Sequence, residues 1–380
     1  MLFYFLPVLF CYGVILSGKT DRKKLLYMLL TYLCFFLCFG YMCGSDWRIY
    51  EEMYESINFD SLFYNYFSEP GYYIYMLIFK CMHIDFWWFF IITKMICFFI
   101  IMHVILEYSE GSRFVALMYF VPWYGFYLFI DNPMRNLIAI SIVLLGLRYL
   151  IDRSFIKYLG CILFAAMFHF SAFIFIPMYF ILNRQIKNWV YIVAFIAFNL
   201  FFSSRELLVS LIGHFSDIPY VNQKIEGYLL GDSEYGQGRV LSLGMIFHFL
   251  FFVLLLYKRN FIVNRKNGLI IFNSAVIYLL FYRLAITIEI FTRFQLYFSV
   301  FFCIGISFLI YAFTIRTRPV FITYLLIIAF IGGAGKIFSD YRYLPYTNYL
   351  VYFFLGEHPS YEYRSAYNIR NSPYTPDEMR

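Results

Sequence analysis

The sequence predicts an all-α, polytopic integral membrane protein of about 11–12 transmembrane helices with two larger extracytoplasmic loops. Three observations carry that prediction. Of the 380 residues, 62% are apolar and only 14% charged, against roughly 45–50% and 25% in soluble domains. The apolar residues gather in runs near the length of about 20 residues that crosses a hydrocarbon core of about 30 Å. The loops between runs sort into basic and acidic ones, as short loops on the two sides of a membrane do. This composition argues against nucleic-acid binding, a secreted disulfide scaffold and a cytosolic dinucleotide-binding enzyme. The net charge of +7 needs no nucleic-acid partner.

The runs fall at about 2–17, 25–43, 71–83, 86–107, 114–130, 136–151, 156–182, 188–203, 240–257, 268–287, 295–314 and 320–334. The first lacks a basic stretch before it and a small-residue cleavage site after it, so it reads as a retained span rather than a signal peptide. Tyr recurs at the ends of runs, as in interfacial aromatic belts. Cys11, Cys34, Cys38, Cys43, Cys81, Cys97, Cys161 and Cys303 lie in or beside apolar runs and read as small buried apolar side chains. With no CxxC pair and no two His at i, i+4, neither a metal site nor a cofactor is expected.

Orientation follows from the basic loops, which stay in the cytoplasm. These carry Lys19, Arg22, Lys23 and Lys24; Arg148, Arg153 and Lys157; Arg184 and Lys187; Lys258, Arg259, Arg265 and Lys266; Arg316 and Arg318. Residues 44–70 hold Asp46, Glu51, Glu52, Glu55, Asp60 and Glu69 against Arg48 alone, and with the mixed-charge segment 204–239 they are placed outside. An odd number of crossings must then separate residue 70 from Arg148. The run at 71–83, about 13 residues, is too short for a clean span and is read as a re-entrant or interfacial helix. The run at 156–182, between two basic loops, is expected to break near His169. Residues 335–380 become an extracytoplasmic C-terminal tail, and residues 1–380 form a single transmembrane domain.

Ionisable groups in or beside a span cost several kcal/mol unless they face a polar cavity, so each is a functional candidate. They are Lys94, Arg135, His169, Arg283, Glu289 and Arg293, and on this topology Arg135, His169, Glu289 and Arg293 gather at outer helix ends. In Asp131-Asn132-Pro133-Met134-Arg135-Asn136, Pro133 can start a helix and leave its first amides free. A helix N-terminus with a guanidinium suits a phosphate; the plain alternative is an Arg snorkelling to head groups. His169 suits a proton shuttle or a donor to an oxyanion, or is a hydrogen-bonded interior histidine. Lys94 and Arg283 lie deeper, as packing partners of acids or along the same cavity. In Gly44-Ser45-Asp46-Trp47-Arg48-Ile49-Tyr50 an acid, aromatic faces and a cation combine in a way that suits sugar rings, with a solvated loop as the alternative. Glu69-Pro70-Gly71-Tyr72 forms a turn that pins Glu69 where the chain re-enters the membrane. His214, Asp217, Glu226, Asp232 and Glu234 in the second loop receive no individual roles.

The order GSDWRIYEEMYE, EPGYY, NPMRNLIAISI, AAMFHFSAFIFIP, a Lys/Arg-rich middle loop, FTRFQLYF and LPYTNYL resembles the EpsG family, related to the Wzy-type O-antigen and capsule polymerases, from about residue 40 to 350. One departure is Asn136, where Gln is more usual; the amide is retained. The resemblance implies a GT-C-like helical glycosyltransferase architecture in the bacterial inner membrane, with its active site facing the periplasm. It implies polymerisation of oligosaccharide repeat units carried on undecaprenyl pyrophosphate, for O-antigen, capsule or exopolysaccharide. The implied partners are that lipid-linked oligosaccharide, the bilayer and a chain-length regulator protein. On this reading Arg135 and Arg293 hold the pyrophosphate with Arg283 as a deeper supporting charge. Asp46 or Glu69 is the general base, His169 an orienting group or alternative base, and Trp47, Tyr50 and Tyr72 meet the acceptor sugar. No Gly-rich phosphate loop is visible, which agrees with a lipid-linked rather than a nucleotide-sugar donor.

Rival activities are a flippase for lipid-linked oligosaccharides, which would line a central path between two pseudo-repeated halves with charge, and a transferase of one sugar from a polyprenyl-phosphate donor. Many such transferases carry an acidic pair in the first outer loop, where Asp46 is a poor match. A non-catalytic transporter or assembly component would tolerate loss of Asp46, Glu69 and Arg293.

Overall fold

Hydrocarbon offers the backbone no hydrogen-bond partners, so a chain of this composition satisfies its N–H and C=O groups within helices. The computed structural model describes residues 2–60, 69–204, 210, 243–288 and 291–372. These are overwhelmingly helical, and the protein is an all-α polytopic membrane protein. Among the described residues five helices are long and apolar enough to cross a membrane, and six more are apolar but span only 10–17 residues. The loop at 204–239 lies, apart from residues 204 and 210, outside the described residues, as does Glu289.

The helices separate into two compact units, residues 1–173 with 313–380, and residues 174–312. The first unit opens with α1 (Leu2–Leu16), α2 (Lys23–Cys38), α3 (Trp47–Ser56), α4 (Pro70–Cys81), α5 (Phe86–Tyr108), α6 (Arg113–Asp131), α7 (Met134–Ile151) and α8 (Phe155–Ala166). The second comprises α9 (Phe175–Ile181), α10 (Asn188–Phe201), α11 (Leu243–Tyr257), α12 (Arg259–Val263), α13 (Gly268–Thr287), α14 (Thr292–Leu296) and α15 (Ser299–Phe308). The chain returns to the first unit with α16 (Arg318–Ser339), α17 (Tyr349–Leu355) and α18 (Tyr361–Asn371).

Lipid tails are as apolar as the core, so close packing rather than hydrophobic burial holds such helices together. In the first unit Tyr4 of α1 is fully buried, edge-on to Phe36 of α2 (5.0 Å) and Phe126 of α6 (5.1 Å), and donates its hydroxyl to the Tyr343 carbonyl at 2.6 Å. Near Pro122 the coil of α6 widens into π-helical turns that run to Asp131. The helix stops at Asn132, whose left-handed backbone (φ 68°) is one that Asn tolerates better than most residues. After Pro133, α7 begins at Met134. This two-residue turn places Asp131 and Arg135 at the same end of the unit.

Two short segments dock on that end. Gly44 has φ +81°, and a Cβ there would lie 2.1 Å from the Ile130 carbonyl oxygen. Gly44→Ala is therefore expected to cost about 1–3 kcal/mol or more, from strain and overlap together. The check is a heated detergent sample on a sizing column, where the folded peak should disappear several degrees below that of the wild type. Helix α4, at 12 residues about 18 Å long, lies beside α3. Tyr72 at its start sits 5.4 Å from Tyr50, and Lys80 at its end donates to the carbonyls of Tyr54 (3.0 Å), Glu55 (2.5 Å) and Ile57 (3.1 Å). Both ends of α4 thus meet α3 or the residue that follows it.

The run at 156–182 is broken: α8 ends at Ala166, a turn carries Met167 to His169, and a tighter helical stretch covers Phe170–Ile174. Within the segment 335–380, the described residues up to 372 are folded. Thr347–Asn348 pairs antiparallel with Gly40–Tyr41, and α18 packs on α3 through the Arg364–Glu51 ion pair and hydrogen bonds. Sequence patterning missed this because the segment is polar and aromatic, and partners more than 300 residues distant supply its order.

Candidate functional site

The N-terminus of α7 presents Arg135 on its first turn. Arg135 Nη1 donates to Glu69 Oε2 at 2.6 Å, a charge-assisted bond. The two partners differ in burial: the Glu69 side chain is 7% exposed and that of Arg135 is 33% exposed. The carboxylate is the more buried member of the pair and the arginine the more exposed. Glu69 holds a left-handed backbone (φ 61°) immediately before Pro70, a conformation that costs a non-glycine residue on the order of 1 kcal/mol or more. Its carboxylate is tied at both oxygens, the second accepting the Phe170 N–H at 3.3 Å. Gly71 completes the junction, donating its N–H to the Met167 carbonyl at 2.9 Å, with no room for a Cβ against Met167.

That junction brings in His169, whose Nδ1 lies 3.9 Å from Glu69 Oε1. Nδ1 accepts from the Ser171 N–H at 3.2 Å and is 2.7 Å from Ser171 Oγ. A neutral ring held in this way carries its proton on Nε2 and can donate there. Tyr50 of α3 borders Arg135: burial pushes its phenol pKa up, with the Arg135 guanidinium acting against that. Tyr72 is fully buried against Tyr50, and its hydroxyl has no hydrogen-bond partner among the described residues. Neither amide atom of buried Asn136, next to Arg135, has one there either.

One turn before Arg135, Asp131 opens a second cluster. Ser45 Oγ lies 3.1 Å from Asp46 Oδ1 and 3.2 Å from Asp131 Oδ1, and accepts from Arg342 Nη1 at 3.1 Å. Arg342 also pairs with Asp131 at 3.2 Å and with both oxygens of Asp340. Burial opposes the Arg342 charge, but its hydrogen bonds to Asp340 and the attraction of Asp131 hold its pKa above the ordinary arginine value. Asp46, half-buried at the start of α3, accepts the Tyr50 N–H at its carbonyl (3.2 Å). Arg342→Ala would leave Asp131, 7% exposed, without its ion-pair partner. We expect a loss of about 1–3 kcal/mol, at the low end for buried pairs because Arg342 is part-exposed. Thermal melts in detergent should show the drop, with Asp131→Asn in the same chain recovering part of it.

Glu69, Arg135, His169, Tyr50 and Tyr72 therefore meet, and Asp46, bonded to Ser45 in the second cluster, lies one turn before Tyr50 at the start of α3. Trp47, expected to stack a sugar, is instead fully buried. Its ring packs against Trp87 (5.5 Å) and Tyr361 (5.9 Å), with the guanidinium groups of Arg48 (4.9 Å) and Arg364 (5.2 Å) over it. Tyr50 and Tyr72 are also buried, so in this arrangement none of the three offers an open face. Lys94 is fully buried over the Phe90 ring (4.6 Å), with no hydrogen-bond partner and no ion-paired acid among the described residues. Arg283 and Arg293 belong to the second unit. Arg283, 3% exposed, reaches the Ser203 carbonyl (3.3 Å) and Met245 sulfur (3.1 Å), and Arg293 is half-buried on α14.

Sequence reasoning missed Arg342 and the role of Asp131. The available signal was an Asp-Tyr-Arg-Tyr stretch just after the last span, a charged pair at a membrane boundary. It missed His248 too, which is buried in the second unit with Nδ1 2.6 Å from the Gly244 carbonyl and its ring stacked on Tyr282. Among the described residues no group of three or more His, Cys, Asp or Glu could hold a metal ion. Chemically, the first unit presents a part-exposed arginine held by a buried carboxylate, a half-buried carboxylate nearby and a histidine donor.

No match to the chain was found among curated proteins or solved structures. The model of the EpsG family, however, matches residues 2–348, nearly the whole length, and the chain belongs to the EpsG family.

Proposed function

We propose that the protein polymerises oligosaccharide repeat units carried on undecaprenyl pyrophosphate, at the outer face of a bacterial inner membrane. The reading is supported above all by one observation: Arg135, one-third exposed at a helix N-terminus, is held in place from behind by buried Glu69. A leaving lipid pyrophosphate gains negative charge as its bond to the sugar breaks, and a pre-positioned guanidinium stabilises that charge without reorganising. Family membership supports polysaccharide assembly in general.

In this mechanism an acceptor hydroxyl at the non-reducing end of the incoming unit attacks the anomeric carbon of the growing chain. The new C–O bond forms as the bond to pyrophosphate breaks, and the hydroxyl proton passes to Asp46. Asp46 is favoured as the base over Glu69, because Glu69 is the ion-pair partner of Arg135 and would weaken that pair by taking up a proton. Glu69 then orients Arg135, and His169, with its donor at Nε2, orients substrate oxygen. Tyr50 and Tyr72 shape the wall beside Arg135.

The test is deletion followed by complementation, read on a gel of lipid-linked glycans. Deletion should leave a single-repeat band, and the wild-type gene should restore a ladder. If deletion removes even the single-repeat band, the step lies earlier, and a flippase or a transferase that builds the unit is the better account.

A further inference from the structure

Residues 349–372 lie beyond the stretch matched by the family model, which ends at residue 348, yet they make some of the most specific contacts to the site-bearing helix α3. Arg364 forms a two-pronged ion pair with Glu51, at 2.7 and 2.9 Å, while itself 8% exposed and surrounded by the rings of Trp47, Trp87 and Tyr361. Arg48 donates to the Oγ (3.0 Å) and carbonyl (2.9 Å) of Ser365, and its Nη1 also reaches the carbonyl of Gly44 (3.0 Å). Tyr361 donates to Glu52 at 2.8 Å. The base of the segment is held separately, by Thr347–Asn348 on Gly40–Tyr41 and by Asn368 on the Pro345 carbonyl at 3.4 Å.

These contacts converge on the two pieces of chain that carry Asp46 and Tyr50. Glu51 adjoins Tyr50 on α3, and Arg48 ties α18 to the loop of Ser45 and Asp46. A desolvated, two-pronged pair adds little net stability compared with an apolar contact, but it fixes geometry, because any other register leaves a buried charge unpaired.

We infer that α18 is a built-in clamp, with Arg364 as the positioning residue that holds α3 in register against Arg135 and so sets the placement of the acceptor sugar. The inference rests on the polymerase reading for the sugar, but the clamp itself is a matter of structure. Losing such a hold misplaces a reactant rather than removing a reacting group, and small misplacements of that kind cost on the order of 10- to 100-fold.

The experiment uses the purified full-length chain in detergent, with two readouts. Amide hydrogen exchange of residues 47–56 should speed up about tenfold or more in Arg364→Ala while α7 is unchanged, since only a locally held segment opens. Chain transfer between synthetic lipid-linked repeat units should show a raised KM for the acceptor unit with kcat changed much less. Arg364→Lys, which keeps the charge and loses the fork, should behave like Arg364→Ala, whereas Arg364→Glu combined with Glu51→Arg should recover both readouts. Unchanged exchange at 47–56 overturns the clamp whatever the transfer assay reads. Faster exchange with unchanged transfer overturns its positioning role. Absence of transfer by the wild type counts against the polymerase reading alone, and the exchange result then still decides the clamp.

Discussion

Replacing Arg135 by Ala should abolish the polymer ladder while leaving the protein in the membrane at its normal level. A single pre-organised donor to developing negative charge is worth about 10²- to 10³-fold in rate, which on a gel is the difference between a ladder and a single-repeat band. Arg135→Lys should recover only a small part, because one ammonium cannot both hold Glu69 and present further donors in a fixed plane. Immunoblots of the membrane fraction separate loss of activity from loss of protein. Ladders of normal length from Arg135→Ala would remove the anion-binding role from α7.

The second large effect is expected at Asp46. Asp46→Asn keeps the size and much of the hydrogen bonding to Ser45, but an amide cannot take up a proton. If Asp46 accepts the proton of the acceptor hydroxyl, kcat should fall by about 10²- to 10⁴-fold with little change in KM. Asp131→Asn is the control. Asp131 shares Ser45 and pairs with Arg342, so its loss should act through geometry, lowering turnover by less than about tenfold and reducing stability as well. Equal losses in kcat for both variants would mean that the pair acts as one unit and that Asp46 is not the sole base.

Much of this was legible in the sequence, for identifiable reasons. The membrane class follows from composition, because hydrocarbon tolerates almost no unpaired charge. The few ionisable residues left near the spans were therefore a short list, and two on it, Arg135 and His169, do meet, at Glu69 of the turn singled out separately. The turn at Glu69-Pro70-Gly71 and the break near His169 were readable from Pro and Gly placement and from a run too long for its flanking charges. The direct pairing of Glu69 with Arg135 was not readable, because 66 residues separate them and nothing local couples the two. Trp47 misled for a related reason. An aromatic residue beside charges suggests a sugar platform, but whether its faces are open depends on Trp87, Tyr361 and Arg364, which arrive from distant parts of the chain. Arg342 and α18 were hidden because a polar, aromatic segment after the last span has no periodicity that predicts where it docks.

The most direct test of the central claim is a reconstituted reaction: purified protein, a synthetic undecaprenyl-pyrophosphate-linked repeat unit, and simultaneous measurement of glycan length and released undecaprenyl pyrophosphate. The account predicts growing oligomers with one lipid pyrophosphate freed for each repeat added, and neither product from Arg135→Ala. Repeat units that remain single, with no lipid pyrophosphate released by the wild-type protein under conditions where it stays folded, would contradict it.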